Sequence, residues 1–311
     1  MATMERTLMT TDKKCRAIRG CMTAMVTPFR GGAIDWPRFD EAVERQVEAS
    51  IDWVVVCGTT GESPTLSRAE RDQLVARVVA GVNGRCGVMV GTGTNATATT
   101  IELTRAAADA GADAALLVTP YYNLPTQDGL FRHFAAVSEA VDLPLVLYDV
   151  PLRTGVRLTN DVVVRLREAF PNIIAIKDAT GDVNRVTDLL ARCDIAVLSG
   201  DDALTWPMMA LGATGVISVV ANLVPELMRS LVTAANGAEY ENARQYHRKV
   251  DDLAKGLSAL GPNPMPIKTA MAIAGMIEDE FRLPLCRLDA GAASKIERLL
   301  RRHEIQEPAS A

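Results

Sequence analysis

Eight short runs of apolar residues recur along the chain, and a helical pattern follows each of them. Each run is hydrophobic over almost its whole length, which is typical of parallel strands that are covered on both faces. The runs lie at residues 21–27, 53–57, 87–91, 114–118, 144–148, 173–177, 195–199 and 215–219.

The segments between the runs are amphipathic, and some carry signals for the start of a helix. Ser67 stands three residues before Glu70, which is the spacing of a capping box. Thr159 or Asn160 is a candidate N-cap for the helix that follows. A proline-rich turn in the segment 261–276 predicts a further helix start.

Strands that alternate with helices predict an α/β protein, a (β/α)8 TIM barrel with a C-terminal helical domain. A doubly wound open sheet is the alternative, but no G-x-G-x-x-G follows the first run. We predict a flexible N-terminal extension at 1–16, a catalytic barrel at 17–236, and a C-terminal helical domain at 237–311.

Composition and charge narrow the classes of function. Of the 311 residues 48% are hydrophobic, and the net charge of −5 comes without the basic stripe that nucleic-acid binding requires. No apolar run approaches the roughly 18 residues that span a bilayer, and the N-terminus lacks the apolar region of a secretory signal. Six scattered cysteines without a C-x-x-C pair indicate reduced thiols. We expect a cytoplasmic protein that binds neither nucleic acid nor membranes.

The candidates for chemistry are the residues just past each apolar run, because the active site of a (β/α)8 barrel lies at the carboxyl ends of its strands. They include hydroxyls, phenols, one lysine and one arginine. They are Thr59, Thr60, Tyr121, Tyr122, Tyr148, Arg153, Lys177, Gly200, Asp201, Asp202, Ile217 and Ser218.

Lys177 is the most informative of these candidates. It is the only lysine between residues 15 and 248, and the other basic residues of the Lys/Arg type in that range are all arginines. Arginine stays protonated, whereas a desolvated lysine can lose its proton and attack a carbonyl to form an imine. The alternative is a structural lysine that pairs with a neighbouring carboxylate such as Asp178.

An imine-forming lysine needs a proton shuttle and groups that hold carboxylates. Tyr148 could carry the protons. Thr59 and Thr60, with the N–H groups of their turn, could hold the carboxylate of a 2-oxo acid, and Arg153 could bind a second carboxylate. Each group also has a structural alternative. Tyr148 could only end its strand, the turn with Thr59 and Thr60 could be only a tight strand–helix connection, and Arg153 could be a solvated loop residue.

Neither a metal site nor a nucleotide site is indicated by the sequence. The three histidines, His133, His247 and His303, lack metal-ligand spacing to another ligand. Neither a Walker A motif nor a G-x-S-x-G motif is present. We therefore expect an imine mechanism that uses no metal and no cofactor.

At these residues the sequence resembles the dihydrodipicolinate synthase / N-acetylneuraminate lyase family of class I aldolases. The resemblance runs from about residue 20 to 300, and it implies a homotetramer, a dimer of dimers, of (β/α)8 barrels with a C-terminal helical domain. The segments that carry it are AMVTPF, GTTGESPTL, GTGTNATATTI, VTPYYNLPTQDGL, YDVPLRTG, IKDATGD, LSGDD, GVISVVAN and PNPMPIK.

The resemblance also implies roles for individual residues. Lys177 would form an imine with pyruvate, and Tyr148 would be the acid/base residue. Thr59 would link Tyr148 to Tyr122, which would reach in from a neighbouring subunit. The substrate contacts would come from Thr60 for the pyruvate carboxylate, Arg153 for the carboxylate of the aldehyde, and Gly200 and Ile217 for main-chain and apolar contacts.

The activity that this resemblance implies is the condensation of pyruvate with L-aspartate-4-semialdehyde to 4-hydroxy-tetrahydrodipicolinate, in lysine and diaminopimelate biosynthesis. Arg153 favours the synthase branch, since lyase-branch members tend to lack it. One alternative is a sibling pyruvate-dependent aldolase or dehydratase that acts on a sugar-derived 2-oxo acid. Another is a non-catalytic barrel that retains a pyruvate-like ligand site.

Two positions depart from the usual synthase pattern Y-N-V-P-x-R-T. Asp149 replaces the asparagine, and Leu152 stands where a small residue is common. A carboxylate beside Tyr148 could alter the proton affinity of the phenol or could serve only the loop.

Inhibition by lysine is expected to be weak or absent. In lysine-sensitive members of the family a histidine or lysine pair and a glutamate line the effector site. The matching positions here are Arg68, Arg71 and Thr99, although Ser63 and Asn95 are retained. Without the glutamate, the ammonium group of the effector loses its natural partner. A titration of the activity that gives strong inhibition at sub-millimolar lysine would contradict this expectation.

Overall fold

A computed structural model describes residues 17–305 of the chain. Eight parallel strands close into a barrel in the order β1-β10-β9-β8-β7-β6-β5-β4, and β2 and β3 form a small antiparallel hairpin. The strands are β1 Gly20–Ala24, β2 Phe29–Arg30, β3 Ala33–Ile34, β4 Trp53–Val56, β5 Gly87–Gly91, β6 Ala114–Val118, β7 Leu145–Asp149, β8 Ile173–Asp178, β9 Ala196–Ser199 and β10 Gly215–Ser218.

Helices follow the strands on the outside of the barrel. Short 3₁₀ turns lie at Ser63–Thr65, Asp202–Leu204 and Val220–Asn222. The α-helices are α1 Trp36–Glu48, α2 Arg68–Val82, α3 Thr97–Asp109, α4 Gln127–Ala140, α5 Pro151–Thr154, α6 Asn160–Ala169, α7 Asn184–Arg192, α8 Thr205–Ala210, α9 Pro225–Asn236, α10 Tyr240–Ser258, α11 Met265–Ile273 and α12 Ala290–Arg302.

The predicted (β/α)8 barrel is confirmed, because all eight apolar runs form strands of one closed parallel sheet. Helices α10, α11 and α12 follow the last barrel strand and α9. A domain boundary between residues 236 and 237 stays a prediction. The predicted extension at 1–16 lies outside the described residues.

The predicted helix starts have mixed outcomes. The capping box forms, since the Ser67 hydroxyl accepts from the N–H of Glu70 and the Glu70 carboxylate accepts from the N–H of Ser67. Helix α6 begins after Thr159, but the Thr159 side chain makes no capping hydrogen bond. Its hydroxyl donates instead to Oε1 of Gln127 at 2.9 Å.

Side chains on the strands divide between two faces of the sheet. Leu116, Val146 and Leu198 pack together inside the barrel. Leu117 and Leu147, one residue along from two of them, pack against the surrounding helices. The strand ends therefore bring alternate residues to the mouth of the barrel. Over residues 17–305, no helix is long and apolar enough to cross a bilayer.

Candidate active site

Tyr148 and Lys177 are direct neighbours on adjacent strands at the carboxyl end of the barrel. Tyr148 of β7 pairs with Lys177 of β8 in the register of the sheet. Nζ of Lys177 lies 4.3 Å from the centroid of the Tyr148 ring. The two residues are only 7% and 6% exposed. The register therefore places a buried amine against the face of a phenol.

The next residues along these strands, Asp149 and Asp178, also pair with each other, and they face the surrounding helices. Arg185 of α7 lies between their carboxylates. Its Nη1 is 2.5 Å from Oδ2 of Asp149 and 3.5 Å from Oδ2 of Asp178. Within residues 17–305 no carboxylate forms an ion pair with Lys177, so the alternative of a Lys177–Asp178 pair is wrong.

Asp149, the departure from the usual asparagine, is thus a residue of the outer layer. Its Oδ1 accepts from the N–H of Leu158 at 3.2 Å. Burial raises the pKa of Asp149, and the guanidinium of Arg185 opposes that rise. The carboxylate belongs to the contact between β7, the loop before α6, and α7, and it does not contact the Tyr148 phenol.

The turn after β4 offers two unused backbone donors. The carbonyl of Gly58 accepts from the N–H groups of Gly61 and Ser63 at 3.2 and 3.3 Å, and the N–H of Glu62 donates to the carbonyl of Thr59 at 3.1 Å. In the described part of the chain the N–H groups of Thr59 and Thr60 have no partner. Adjacent free N–H groups in a turn form an anion-binding concavity.

A cavity of about 160 Å³ at the barrel mouth brings most of the predicted site residues together. Arg153 is held at its edge, because its Nη2 donates to the carbonyl of Asn263 at 2.8 Å. Among residues 17–305 no carboxylate pairs with Arg153. The predicted residues that line the cavity are Thr59, Thr60, Tyr148, Arg153, Lys177 and Gly200.

Gly200 and Ile217 occupy different environments. A Cβ at position 200 would lie 3.1 Å from Cε of Lys177 and 2.8 Å from Cβ of Ala179, so only glycine leaves space beside the amine. Ile217 is buried in the packed interior of the barrel, and Val219 lines the cavity instead. A substrate contact by Ile217 stays a prediction.

Tyr122 does not reach the cavity of its own chain. It is 89% exposed and has a left-handed backbone conformation with φ of 74°. Neither Tyr148 nor Thr59 makes a side-chain hydrogen bond within residues 17–305, so the predicted link from Tyr148 through Thr59 to Tyr122 is not formed within one chain.

Cys57 lines the cavity, but it is a buried thiol. Burial raises the pKa of Cys57 to about 11, so the group stays protonated at neutral pH. A buried, protonated thiol of this kind is a packing residue and not a nucleophile. Among residues 17–305 no group of three or more His, Cys, Asp or Glu side chains is arranged to hold a metal ion.

Two buried charged residues near the cavity, Lys268 and Glu62, were not predicted from the sequence. Lys268 of α11 is 0% exposed and Glu62, in the turn after β4, is 1% exposed. Nζ of Lys268 lies 2.5 Å from Oε1 of Glu62. The sequence signal that could have found Lys268 is its place in the apolar segment MPIKTAMAI.

A model of the Dihydrodipicolinate synthetase family matches residues 17–303. The chain belongs to this family. The family that the motifs predicted is therefore confirmed, and with it the prediction of an enzyme of the class I aldolase type.

Individual members of the family are similar over nearly the whole chain. The 4-hydroxy-tetrahydrodipicolinate synthase of Geotalea daltonii is 47% identical over 289 residues, which are 92% of this chain and 99% of that protein. The crystal structure of the chloride-inhibited dihydrodipicolinate synthase from Acinetobacter baumannii complexed with pyruvate has a TM-score of 0.90 at 44% identity, and covers 93% of this chain and 100% of that chain. A monomeric dihydrodipicolinate synthase variant has a TM-score of 0.90 at 37% identity, and covers 92% of this chain and 97% of that chain.

Arg185 contacts both Asp149 and Asp178, so substitutions of Arg185 and of Asp149 should lower the free energy of unfolding by different amounts. Arg185→Met leaves two buried carboxylates without a cation and should lower the free energy of unfolding by about 3–5 kcal/mol. Asp149→Asn keeps an acceptor for Leu158 and leaves Asp178 beside Arg185, so about 1–2 kcal/mol is expected.

Denaturant unfolding measures both changes. Arg157→Met, which breaks the exposed pair with Asp182, is the control and should change the stability by less than about 1 kcal/mol. Equal losses for Asp149→Asn and Arg185→Met would show that Arg185 does not serve both carboxylates.

Proposed function

We propose that this chain catalyses the condensation of pyruvate with L-aspartate-4-semialdehyde to 4-hydroxy-tetrahydrodipicolinate through an imine on Lys177. The observation that carries the proposal is a buried lysine amine that has no carboxylate partner within residues 17–305 and faces a phenol. An arginine and two backbone N–H groups, which have no partner among the same residues, share its cavity. The family membership and the synthases among the relatives support the same activity.

The first half of the reaction uses the inner part of the cavity. The carboxylate of pyruvate accepts from the N–H groups of Thr59 and Thr60, which directs the carbonyl carbon toward Lys177. The amine adds to this carbon to give a carbinolamine, and loss of water gives the imine. The hydroxyl of Tyr148 carries the protons between the amine and the departing water. Loss of a methyl proton then gives the enamine.

The second half takes place nearer the mouth. Arg153 binds the carboxylate of the aldehyde, so that the aldehyde carbon faces the enamine. The enamine carbon attacks this carbon, and a new C–C bond forms while the aldehyde oxygen takes a proton. The amino group of the second substrate then attacks the imine carbon, which closes the ring and releases Lys177.

A second copy of the chain completes the proposed site. We infer that Tyr122 acts in the cavity of a neighbouring subunit, as the resemblance implies, within a homotetramer. The exposure of Tyr122 and Leu124 in one chain supports this reading, because large hydrophobic side chains at a loop tip favour burial in an interface. A cytoplasmic location also remains part of the proposal.

The first prediction of the proposal is a covalent adduct. When the protein is incubated with pyruvate and reduced with borohydride, mass spectrometry should find the reduced adduct on the peptide that contains Lys177. Lys177→Arg keeps the charge but cannot form an imine, so its adduct should be lost entirely.

The exposed Lys249 and Lys255 are internal controls and should stay unmodified. Absence of an adduct at Lys177 in the unaltered protein would end both the imine mechanism on Lys177 and the proposed condensation.

The second prediction concerns the aldehyde. Arg153→Gln removes the cation from the mouth and should raise the KM for L-aspartate-4-semialdehyde by about 10- to 100-fold, the equivalent of one charged hydrogen bond. The trapping of pyruvate at Lys177 should be unchanged.

Arg157→Gln is the matched control, because Arg157 is a nearby arginine whose exposed partner is Asp182. In steady-state turnover assays, the semialdehyde should compete with sugar-derived aldehydes and 2-oxo acids as the second substrate. Preference for a sugar-derived substrate would replace the proposed activity with that of a sibling aldolase or dehydratase.

A further inference from the structure

Lys268 differs from Lys177 in its surroundings although both are buried. The other described lysines, Lys249, Lys255 and Lys295, are exposed. Nζ of Lys268 lies 4.5 Å from the ring centroid of Phe29 and 4.7 Å from that of Phe281. Its one ion-pair partner within the described residues is Glu62. Lys268 therefore has a single carboxylate in direct contact among the described residues.

Glu62 lies two residues after Thr60 and has a backbone conformation that is rare for a residue with a side chain. Its φ is 54°, in the left-handed region. Both of its carboxylate oxygens are used, since Oε1 contacts Lys268 and Oε2 accepts from the N–H of Arg282 at 3.2 Å. A residue keeps such a conformation only where its surroundings hold it there.

The turn and Glu62 are joined by a short backbone link. The N–H of Glu62 donates to the carbonyl of Thr59, and the carbonyl of Gly61 accepts from the hydroxyl of Thr27 at 2.8 Å. A Cβ at Gly61 would lie 3.2 Å from the carbonyl oxygen of Met25, so the turn has little space in which to shift toward β1. Movement of Glu62 would therefore move the N–H groups of Thr59 and Thr60.

The same part of the chain also holds Arg153. The carbonyl of Asn263, two residues before α11 begins, accepts from Arg153, while Lys268 within α11 holds Glu62. The segment 263–268 thus contacts both elements that would bind substrate carboxylates. It can fix the distance between them.

Stability alone does not explain a fully buried ion pair at this place. Two apolar side chains of similar volume would hold α11 against the turn as well or better, because burial of both charges has a large desolvation cost. An ion pair differs from an apolar contact in being directional, so it fixes the orientation of the residue that carries it.

We propose that Glu62 and Lys268 are positioning residues for the pyruvate site: their ion pair, anchored on α11, sets the orientation in which Thr59 and Thr60 present their N–H groups to the carboxylate of pyruvate. This inference rests on the proposed function, since it assumes that pyruvate is bound at this turn.

The test separates pyruvate affinity from stability. Lys268→Met and the double variant Glu62→Gln/Lys268→Met are compared with the unaltered protein by borohydride trapping at Lys177 over a range of pyruvate concentrations, and by thermal unfolding. Both variants should need at least tenfold more pyruvate for half-maximal trapping, with the maximal yield at Lys177 retained. The double variant should recover most of the melting temperature that Lys268→Met loses, because no buried charge is left unpaired.

The segment that follows α11 keeps other anchors to the turn region in these variants. Arg282 pairs with Glu70 at 2.5 Å and donates to the carbonyl of Thr65 at 3.0 Å, so the segment that precedes α2 stays attached. If Lys268→Met does not fold, the double variant and Glu62→Gln carry the measurement.

Val163→Ala is the matched control for destabilisation, because it opens a cavity on the buried face of α6, in a core cluster that contains no residue of α11 or of the turn. It should lower the melting temperature and leave the half-maximal pyruvate concentration within twofold. The proposal is overturned if the double variant traps pyruvate at the unaltered concentration, or if Val163→Ala shifts that concentration as far as Lys268→Met does. Absence of trapping in the unaltered protein would instead refute the proposed function.

Discussion

The alternation of side chains along β7 and β8 is the constraint on which the site depends. Tyr148 and Lys177 face the inside of the barrel, and Asp149 and Asp178, one residue further, face the helices. A strand cannot turn one of these residues inward without turning its neighbour outward. Because the carboxylates face outward, Arg185 can neutralise them, and no carboxylate among residues 17–305 pairs with the amine inside. The chemistry proposed for the inner face therefore depends on the ion pair of the outer face.

The two buried lysines show how burial alone fails to define a role. Lys177 lies on the face of a phenol and has no carboxylate partner in the described part of the chain, whereas Lys268 lies near two aromatic rings with Glu62 as its partner. Burial lowers the pKa of Lys268, and the carboxylate of Glu62 opposes this effect. What distinguishes the amine proposed to react from the fixed charge is the partner, and the partner is set by tertiary contacts.

The sequence was sufficient where local pattern decides the outcome. Apolar runs and their spacing predicted all eight barrel strands, and the strand ends then placed Thr59, Tyr148, Arg153 and Lys177 around one cavity. It was insufficient where distant segments meet. The role of Asp149 depends on Arg185, which is 36 residues away. The outcome at Thr159 also depends on a distant residue, because its hydroxyl donates to Gln127 and its side chain does not cap its own helix.

Gly200 limits how the substrate range of this cavity could be altered. The backbone at the end of β9 lies so close to the lysine stem that position 200 already has the smallest side chain possible. Mutagenesis for bulkier 2-oxo acids would gain no volume there. Extra space could come from larger apolar side chains elsewhere in the lining, such as Leu116 and Val118 of β6. The acceptance of larger substrates is therefore a property that redesign of β6 could change, while the β9 side of the cavity is fixed by the main chain.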